Sequence, residues 1–166
     1  MQFDIRNESS ADIEAIEALT IAAFLAAPHA GHNEQTIIRS MRDSGELSVS
    51  LVAQLQDELL GHVAVSEVVI SDGTKGWYGL GPISVSPAYQ GQGIGSQLMR
   101  AAIKQLKNIN ASGCVLLGDP AYYHRFGFKP EADLILADVP PEYFQVLSFR
   151  TILPKGLVSY CTAFKL

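Results

Sequence analysis

Charge is scarce in this chain. Asp, Glu, Lys and Arg make up only 17 % of its 166 residues, 17 of them acidic and 12 basic. Affinity for a phosphate backbone is carried by many clustered Lys and Arg side chains, so a formal net charge of −5 argues against a nucleic-acid partner. A cationic, amine-bearing substrate suits that field better, although net charge speaks first to solubility. Cysteine is nearly absent too: only Cys114 and Cys161 occur, with no C-x-x-C pair. This excludes a disulfide framework and a cysteine zinc site, and leaves reduced, buried thiols as the expectation. His29 and His32 have an H-x-x-H spacing without a third ligand, so no metal is expected. No apolar run approaches the roughly 18 residues of a membrane span, so no membrane partner is expected. Asp4, Arg6 and Glu8 stand where an export signal would need an apolar core, so the expected location is cytoplasmic.

What remains is enough for one core. Hydrophobic residues make up 48 % of the chain, and a chain of this size removes roughly 70 % of its unfolded surface from water on folding. No repeat, linker or low-complexity tract divides it, so residues 1–166 are read as a single domain.

The hydrophobic period alternates between helix and strand values. Residues 3–7 read as a short strand. Ser9 or Ser10 then caps a helix with Asp12 and Glu14 in its first turn and Ile13, Ile16, Leu19 and Ala23 along one stripe. A second helix begins near Glu34, carries Ile37, Ile38 and Met41, and stops at Gly45. The period changes to two over residues 47–55, and a polar turn leads into residues 60–70, which together predict a hairpin. Residues 77–85 predict a further strand, but Gly79, Gly81 and Pro82 lie inside it, so a bulge or a break in pairing is expected there. An amphipathic helix follows with Ile94, Leu98, Ala102 and Leu106 on one face. Residues 114–117 restart the strand pattern, residues 121–126 read as a helical turn, and residues 134–137 and 158–166 read as extended. The fold class is α/β (α+β) with a mixed, mostly antiparallel sheet.

Between strand 77–85 and the amphipathic helix lies Gln90-Gly91-Gln92-Gly93-Ile94-Gly95. Glycines at alternate positions let a backbone approach a ligand closely, and the free N–H groups of the following helix start favour an anion, most simply a phosphate. A dinucleotide fingerprint is not met, because Ser96 stands where its third glycine belongs, and no Lys follows as a P-loop requires.

The segment Val85-Ser86-Pro87-Ala88-Tyr89-Gln90-Gly91-Gln92-Gly93-Ile94-Gly95 resembles, without a gap, the coenzyme A-binding pattern V-x-P-x-x-[QR]-G-x-G-[IV]-G of the GNAT acetyltransferase superfamily. Further on, Gly118-Asp119-Pro120-Ala121-Tyr122-Tyr123-His124-Arg125-Phe126-Gly127-Phe128 resembles that superfamily's Y-x-x-x-G-F signature, in the wording of its YhbS-type bacterial branch. Both occur once and in the family's order. The resemblance implies a sheet of about seven strands flanked by helices. It also implies transfer of the acetyl group of acetyl-CoA to a primary amine by direct attack in a ternary complex, leaving coenzyme A, with no metal. It places the pyrophosphate on the backbone of Gln90, Gly91, Gln92, Gly93, Ile94 and Gly95, and the pantetheine arm along Ile83, Ser84 and Val85. It makes Tyr123 the acid that meets the departing thiolate. For the base that frees the amine, Glu67 at a strand end is the first candidate, and Glu34 with His29 and His32 the second, His29 and Glu34 being read as acceptor-binding. Arg125 and Lys129 are candidates for the 3′-phosphate, as are Arg100, Lys104 and Lys107 if their helix face turns that way. Neither cysteine has a neighbouring base in sequence, so no acyl-cysteine is expected. The acceptor is read as a small-molecule or peptide amine, and a homodimer is compatible with this reading. The rival is a non-catalytic acyl-CoA-binding regulatory module on the same fold, which would keep the glycine loop without a productive acid and base.

Overall fold

The computed structural model describes residues 1–25, 27 and 31–165. Its elements run β1 (Asp4–Asn7), α1 (Ile13–Phe24), α2 (Glu34–Ser44), β2 (Leu47–Leu55), β3 (Glu58–Glu67), β4 (Val69–Ile70), β5 (Trp77–Val85), α3 (Ile94–Asn108), β6 (Gly113–Leu117), α4 (Pro120–Tyr123), β7 (Leu134–Ile135), β8 (Phe144–Ser148) and β9 (Gly156–Ser159). Among the described residues there are nine strands in two sheets rather than about seven in one. The larger sheet has the order β1-β2-β3-β5-β6-β8, and the smaller β4-β9-β7. All neighbours in the larger sheet are antiparallel except β5 and β6, so the mixed, mostly antiparallel expectation holds.

Helices cover both faces of the larger sheet, which is why its central strands are buried on both sides. On one face Leu98, Met99, Ala102 and Leu106 of α3 pack on Val49, Leu51, Val63 and Val65. Leu98 and Leu106 are each 0 % exposed, a burial that stabilises by about 1.5–3 kcal/mol per side chain. On the other face Ile37, Ile38 and Met41 of α2 pack on Ala64 of β3. The alternation read in residues 47–55 is therefore masked from 49 to 53, where every residue is buried.

Local chemistry ends the helices. Ser9 and Asp12 form a capping box at the single 3-10 turn before α1. Gly45, at φ 78°, ends α2 while the N–H of Glu46 donates to Met41 O at 2.8 Å.

Two expectations are corrected. Residues 60–70 are not one strand: β3 ends at Glu67, the N–H of Val68 donates to Trp77 O at 3.0 Å, and Val69 and Ile70 leave to pair with β9 in the smaller sheet. Residues 158–166 do not continue as a strand either. β9 stops at Ser159 and residues 162–165 form a 3-10 turn. The alternation of Tyr160, Thr162 and Phe164 hides a spacing of four, and the rings of Tyr160 and Phe164 meet with centroids 5.1 Å apart. β8 carries no alternation because Phe144, Gln145 and Val146 are all buried.

Candidate functional site

The site opens where β5 parts from β6. Their parallel pairing covers only Trp77, Tyr78 and Gly79, opposite Gly113, Cys114 and Val115. From Leu80 onward β5 has β3 alone as a partner, and two residues, Gly81 and Pro82, stand opposite the single Ala64 in a bulge. Gly81 has φ 132°, a conformation open to glycine and costly for other residues. Gly79 has a different task. A Cβ there would lie 2.2 Å from Tyr160 Cε1, so its missing side chain lets the Tyr160 ring close on the strand. A cavity of about 550 Å³ results, reached by Leu80 and Ile83 from β5, Leu116 and Leu117 from β6, and Met99 from α3.

At the other end of β5 the glycine loop forms a second cavity of about 350 Å³, lined by Val85, Gly91, Gly93, Ser96, Tyr122 and Arg125 among others. Gly91 (φ 79°) and Gly93 (φ 84°) are left-handed with nothing within 4 Å of where a Cβ would sit, so backbone conformation rather than space asks for glycine. Gly93 is the N-cap of α3, a helix of 15 residues, and the Gln97 N–H donates to its carbonyl at 3.1 Å. The N–H groups of Ile94, Gly95 and Ser96 precede that bond and are free for an anion, at the positive end of the helix dipole. Gln90 donates from Nε2 to Val85 O at 3.1 Å, tying loop to strand. Gln90, Gly91, Gly93, Ile94 and Gly95 line this cavity, while Gln92 is exposed and does not. Ile83 lines the first cavity and Val85 the second; Ser84 is 4 % exposed.

The two cavities are joined by α4. Asp119 caps it, accepting the Ala121 N–H at 2.9 Å, and Pro120 takes the first helical position. Tyr123 lines the first cavity and Tyr122 the second. Tyr122 shares a 3.1 Å hydrogen bond with Ser96 Oγ in the first turn of α3, and the Arg125 guanidinium lies 4.2 Å from its ring centroid. Tyr122 is thus a wall of the loop cavity, and Ser96 is a further contact that carried no sequence signal. Lys129 is exposed and absent from that wall. The Tyr123 ring rests on Gly118, where a Cβ would lie 2.3 Å from its Cε2. Burial, and then the neighbouring Tyr122, raise the pKa of Tyr123, so its phenol keeps its proton.

The candidate carboxylates separate. Glu34, the first residue of α2, lines the 550 Å³ cavity with Tyr123. Its Oε2 accepts the Gly31 N–H at 3.2 Å, while its Oε1 is enclosed and has no hydrogen-bond partner among the described residues. Glu67, expected to border the cleft, is exposed at the end of β3 opposite Tyr78, where β5 is still paired with β6, and it does not line the cavity. His32 is exposed, and His29 lies outside the described residues. Burial pushes the Cys114 thiol far up, and neither cysteine lines either cavity.

A buried polar cluster lies behind β5. His62 on β3 is 0 % exposed and stands opposite Ser84 in register. Ser50 Oγ donates to Glu8 and therefore accepts from His62 Nε2 at 2.7 Å, and Arg42 closes the cluster with two bonds to Glu8, of 2.9 and 2.8 Å. Burial holds the His62 pKa down at about 4. His62 Nδ1 and Ser84 Oγ are both enclosed without a partner among the described residues.

Known proteins share this architecture. A family model described as an acetyltransferase (GNAT) domain matches residues 46–130. The uncharacterized N-acetyltransferase YhbS of Escherichia coli strain K12 is 33% identical over 126 residues, which is 75% of this chain and 72% of that protein. A GNAT family acetyltransferase from Brucella melitensis, solved in complex with acetyl-CoA, superposes with a TM-score of 0.88 at 44% identity, covering 98% of each chain. The YhbS structure from Escherichia coli, solved with CoA, superposes with a TM-score of 0.89 at 31% identity over 100% of this chain and 93% of that one.

Proposed function

The chain belongs to the GNAT acetyltransferase family, and on that premise we propose that it moves the acetyl group of acetyl-CoA to a primary amine by direct attack, with both substrates bound at once. The observation that carries this reading is the departure of β5 from β6 at Leu80, which opens one cavity onto Tyr123 from one side and Glu34 from the other. Two relatives solved with acetyl-CoA or CoA support the choice of donor.

The residues fit that donor. Backbone N–H groups from Gln90 to Gly95, and the dipole of α3 behind them, take the pyrophosphate, which lets an acidic protein hold a polyanion without net positive charge. Arg125 adds the one cationic side chain among the described residues on the wall of the loop cavity. The unpaired edge of β5 over Ile83, Ser84 and Val85 offers its backbone to the pantetheine arm.

The chemistry then divides between two side chains. Glu34 takes one proton from the incoming ammonium, so that a neutral amine reaches the acyl carbon. As the C–N bond forms and the C–S bond breaks, Tyr123 gives its phenolic proton to the departing sulfur, and the second proton leaving nitrogen restores the phenol. One proton is released overall. No cysteine, serine or lysine occurs among the described residues lining the cavity, which supports direct attack over a covalent acyl-enzyme.

The test is free-thiol release from acetyl-CoA in the presence of an amine, with Glu34→Gln and Glu67→Gln compared. Glu34→Gln is expected to lower kcat by about 10²-fold, the low end for a general base, and Glu67→Gln by less. The reverse order would return the base to Glu67.

A further inference from the structure

The walls of the 550 Å³ cavity carry an inference about the acceptor, which rests on the acetyl-transfer reading above. We propose that the acceptor is a primary amine on a compact apolar body, an arylalkyl or branched alkyl amine with neither a carboxylate nor a second cationic centre.

The cavity is also lined by Phe24 at the end of α1, Ile37 on α2, Leu136 after β7, and the touching rings of Tyr160 and Phe164. Glu34 is the one charged side chain on the whole lining among the described residues. Its enclosed Oε1 lacks a partner among the described residues, and an ammonium group supplies a donor together with the opposite charge. A single carboxylate among apolar walls selects for one cation and against further charge.

The alternatives fail on the same wall. An amino acid would bring a carboxylate beside Glu34, with no described Lys, Arg or His on the lining to receive it. A diamine or polyamine would leave its distal ammonium against apolar side chains. A peptide would bury amide groups, and an aminoglycoside several hydroxyls, with the phenols of Tyr123 and Tyr160 as the available side-chain partners besides Glu34 among the described residues. Volume agrees: about 550 Å³ lies within the range of small-molecule sites and must also admit the acetyl end of the donor.

The experiment compares 2-phenylethylamine, phenylalanine, 1,4-diaminobutane and an aminoglycoside as acceptors, following thiol release and identifying the amide by mass spectrometry. The expected kcat/KM for 2-phenylethylamine exceeds each of the others by at least about 100-fold. Phe24→Arg supplies the missing cation on the wall and is expected to narrow the ratio of 2-phenylethylamine to phenylalanine by about 10-fold or more, while acetyl-CoA still raises the melting temperature. Leu136→Lys repeats this from another element if Phe24→Arg melts early. Equal or better use of phenylalanine, the diamine or the aminoglycoside overturns the proposal, as does transfer to none of the four by a protein that acetyl-CoA stabilises. Failure of acetyl-CoA to stabilise the protein at all would instead bring down the acetyl-transfer reading itself.

Discussion

The rings of Tyr122 and Tyr123 stand at 87° to each other with centroids 4.9 Å apart, so two neighbours in sequence face two different cavities. One short helix thereby stands between the glycine-loop cavity and the cavity that Glu34 lines. Tyr123→Phe keeps the ring and its packing while deleting the proposed proton donor, and is expected to lower kcat and kcat/KM together by about 10²- to 10⁴-fold with acetyl-CoA affinity little changed. Tyr122→Phe breaks the bond to Ser96 and is expected to weaken acetyl-CoA binding modestly with kcat nearly intact. Thiol release and calorimetric titration of both variants separate the roles, and an unchanged kcat in Tyr123→Phe removes this residue as the acid.

The left-handed backbone of the loop makes a second expectation. Gly93→Val places a β-branched side chain at φ 84°, a conformation that costs roughly 1–2 kcal/mol even for ordinary residues. Wild-type protein at an acetyl-CoA concentration about 100 times Kd is expected to gain ~2.7 kcal/mol of stability, with no gain from ATP or NAD. Gly93→Val is expected to abolish that gain. Gly95→Ala is the control, since its Cβ would meet Val85 Cγ2 at 3.7 Å, an ordinary contact inside a helix, and the unliganded melting temperature should not fall. A full acetyl-CoA shift in Gly93→Val would take the loop out of the binding site.

These two features differ in how far the sequence announces them. Gly91 and Gly93 answer a local backbone demand, which a sequence records directly, and the strand break at Gly81 and Pro82 is legible for the same reason. The task of Gly79 is not, because it depends on Tyr160, 81 positions away, closing on the strand. Tyr122 and Ser96, 26 residues apart, meet only once α4 folds back on α3. The sequence puts Glu67 ahead of Glu34 as a candidate base, and only the course of α2 over the sheet and the point where β5 leaves β6 show that Glu34 lines the cavity and Glu67 does not. The smaller sheet was hidden because its strands β4 and β7 are two residues long, too short to show a period. β8 was hidden because burial on both faces erases alternation.

The cluster behind β5 is expected to contribute to the acid response of the fold. His62 stays neutral to about pH 4 when folded, because burial opposes its charged form more than Glu8, 3.9 Å away, favours it, while Arg42 opposes it further. Between its ordinary pKa of about 6.5 and pH 4 the unfolded chain takes up a proton that the folded one refuses, so stability is expected to fall across that window by on the order of 3 kcal/mol. Desolvation of Glu8 is outweighed by its bonds from Arg42 and Ser50, which hold its pKa below the usual carboxylate range, so its contribution is lost only at pH values beneath about 4.5. His62→Gln is expected to flatten the stability curve between pH 6.5 and 5 and to keep the steeper loss below. Urea unfolding at intervals across this range measures it, and an undiminished slope from pH 6.5 to 5 in the variant would assign the titration to another group.

Gly118 offers a way to disable Tyr123 without touching it. A Cβ at position 118 would lie 2.3 Å from Tyr123 Cε2 and 2.8 Å from Cδ2, far inside contact distance. The ring cannot yield easily, since it is held by the rings of Phe126 and Phe128 at centroid distances of 6.2 and 6.3 Å. Gly118→Ala is therefore expected to turn the phenol out of line and to lower kcat by about 10²-fold or more, although every atom of Tyr123 is still present. The glycine loop lies on other elements, so the acetyl-CoA-induced melting shift should persist. Once the ring is displaced its hydroxyl has little left to lose, so Gly118→Ala combined with Tyr123→Phe should be no slower than the slower single variant. Multiplying losses in the double variant, or full activity in Gly118→Ala, would mean that the position of this ring does not govern the transfer step.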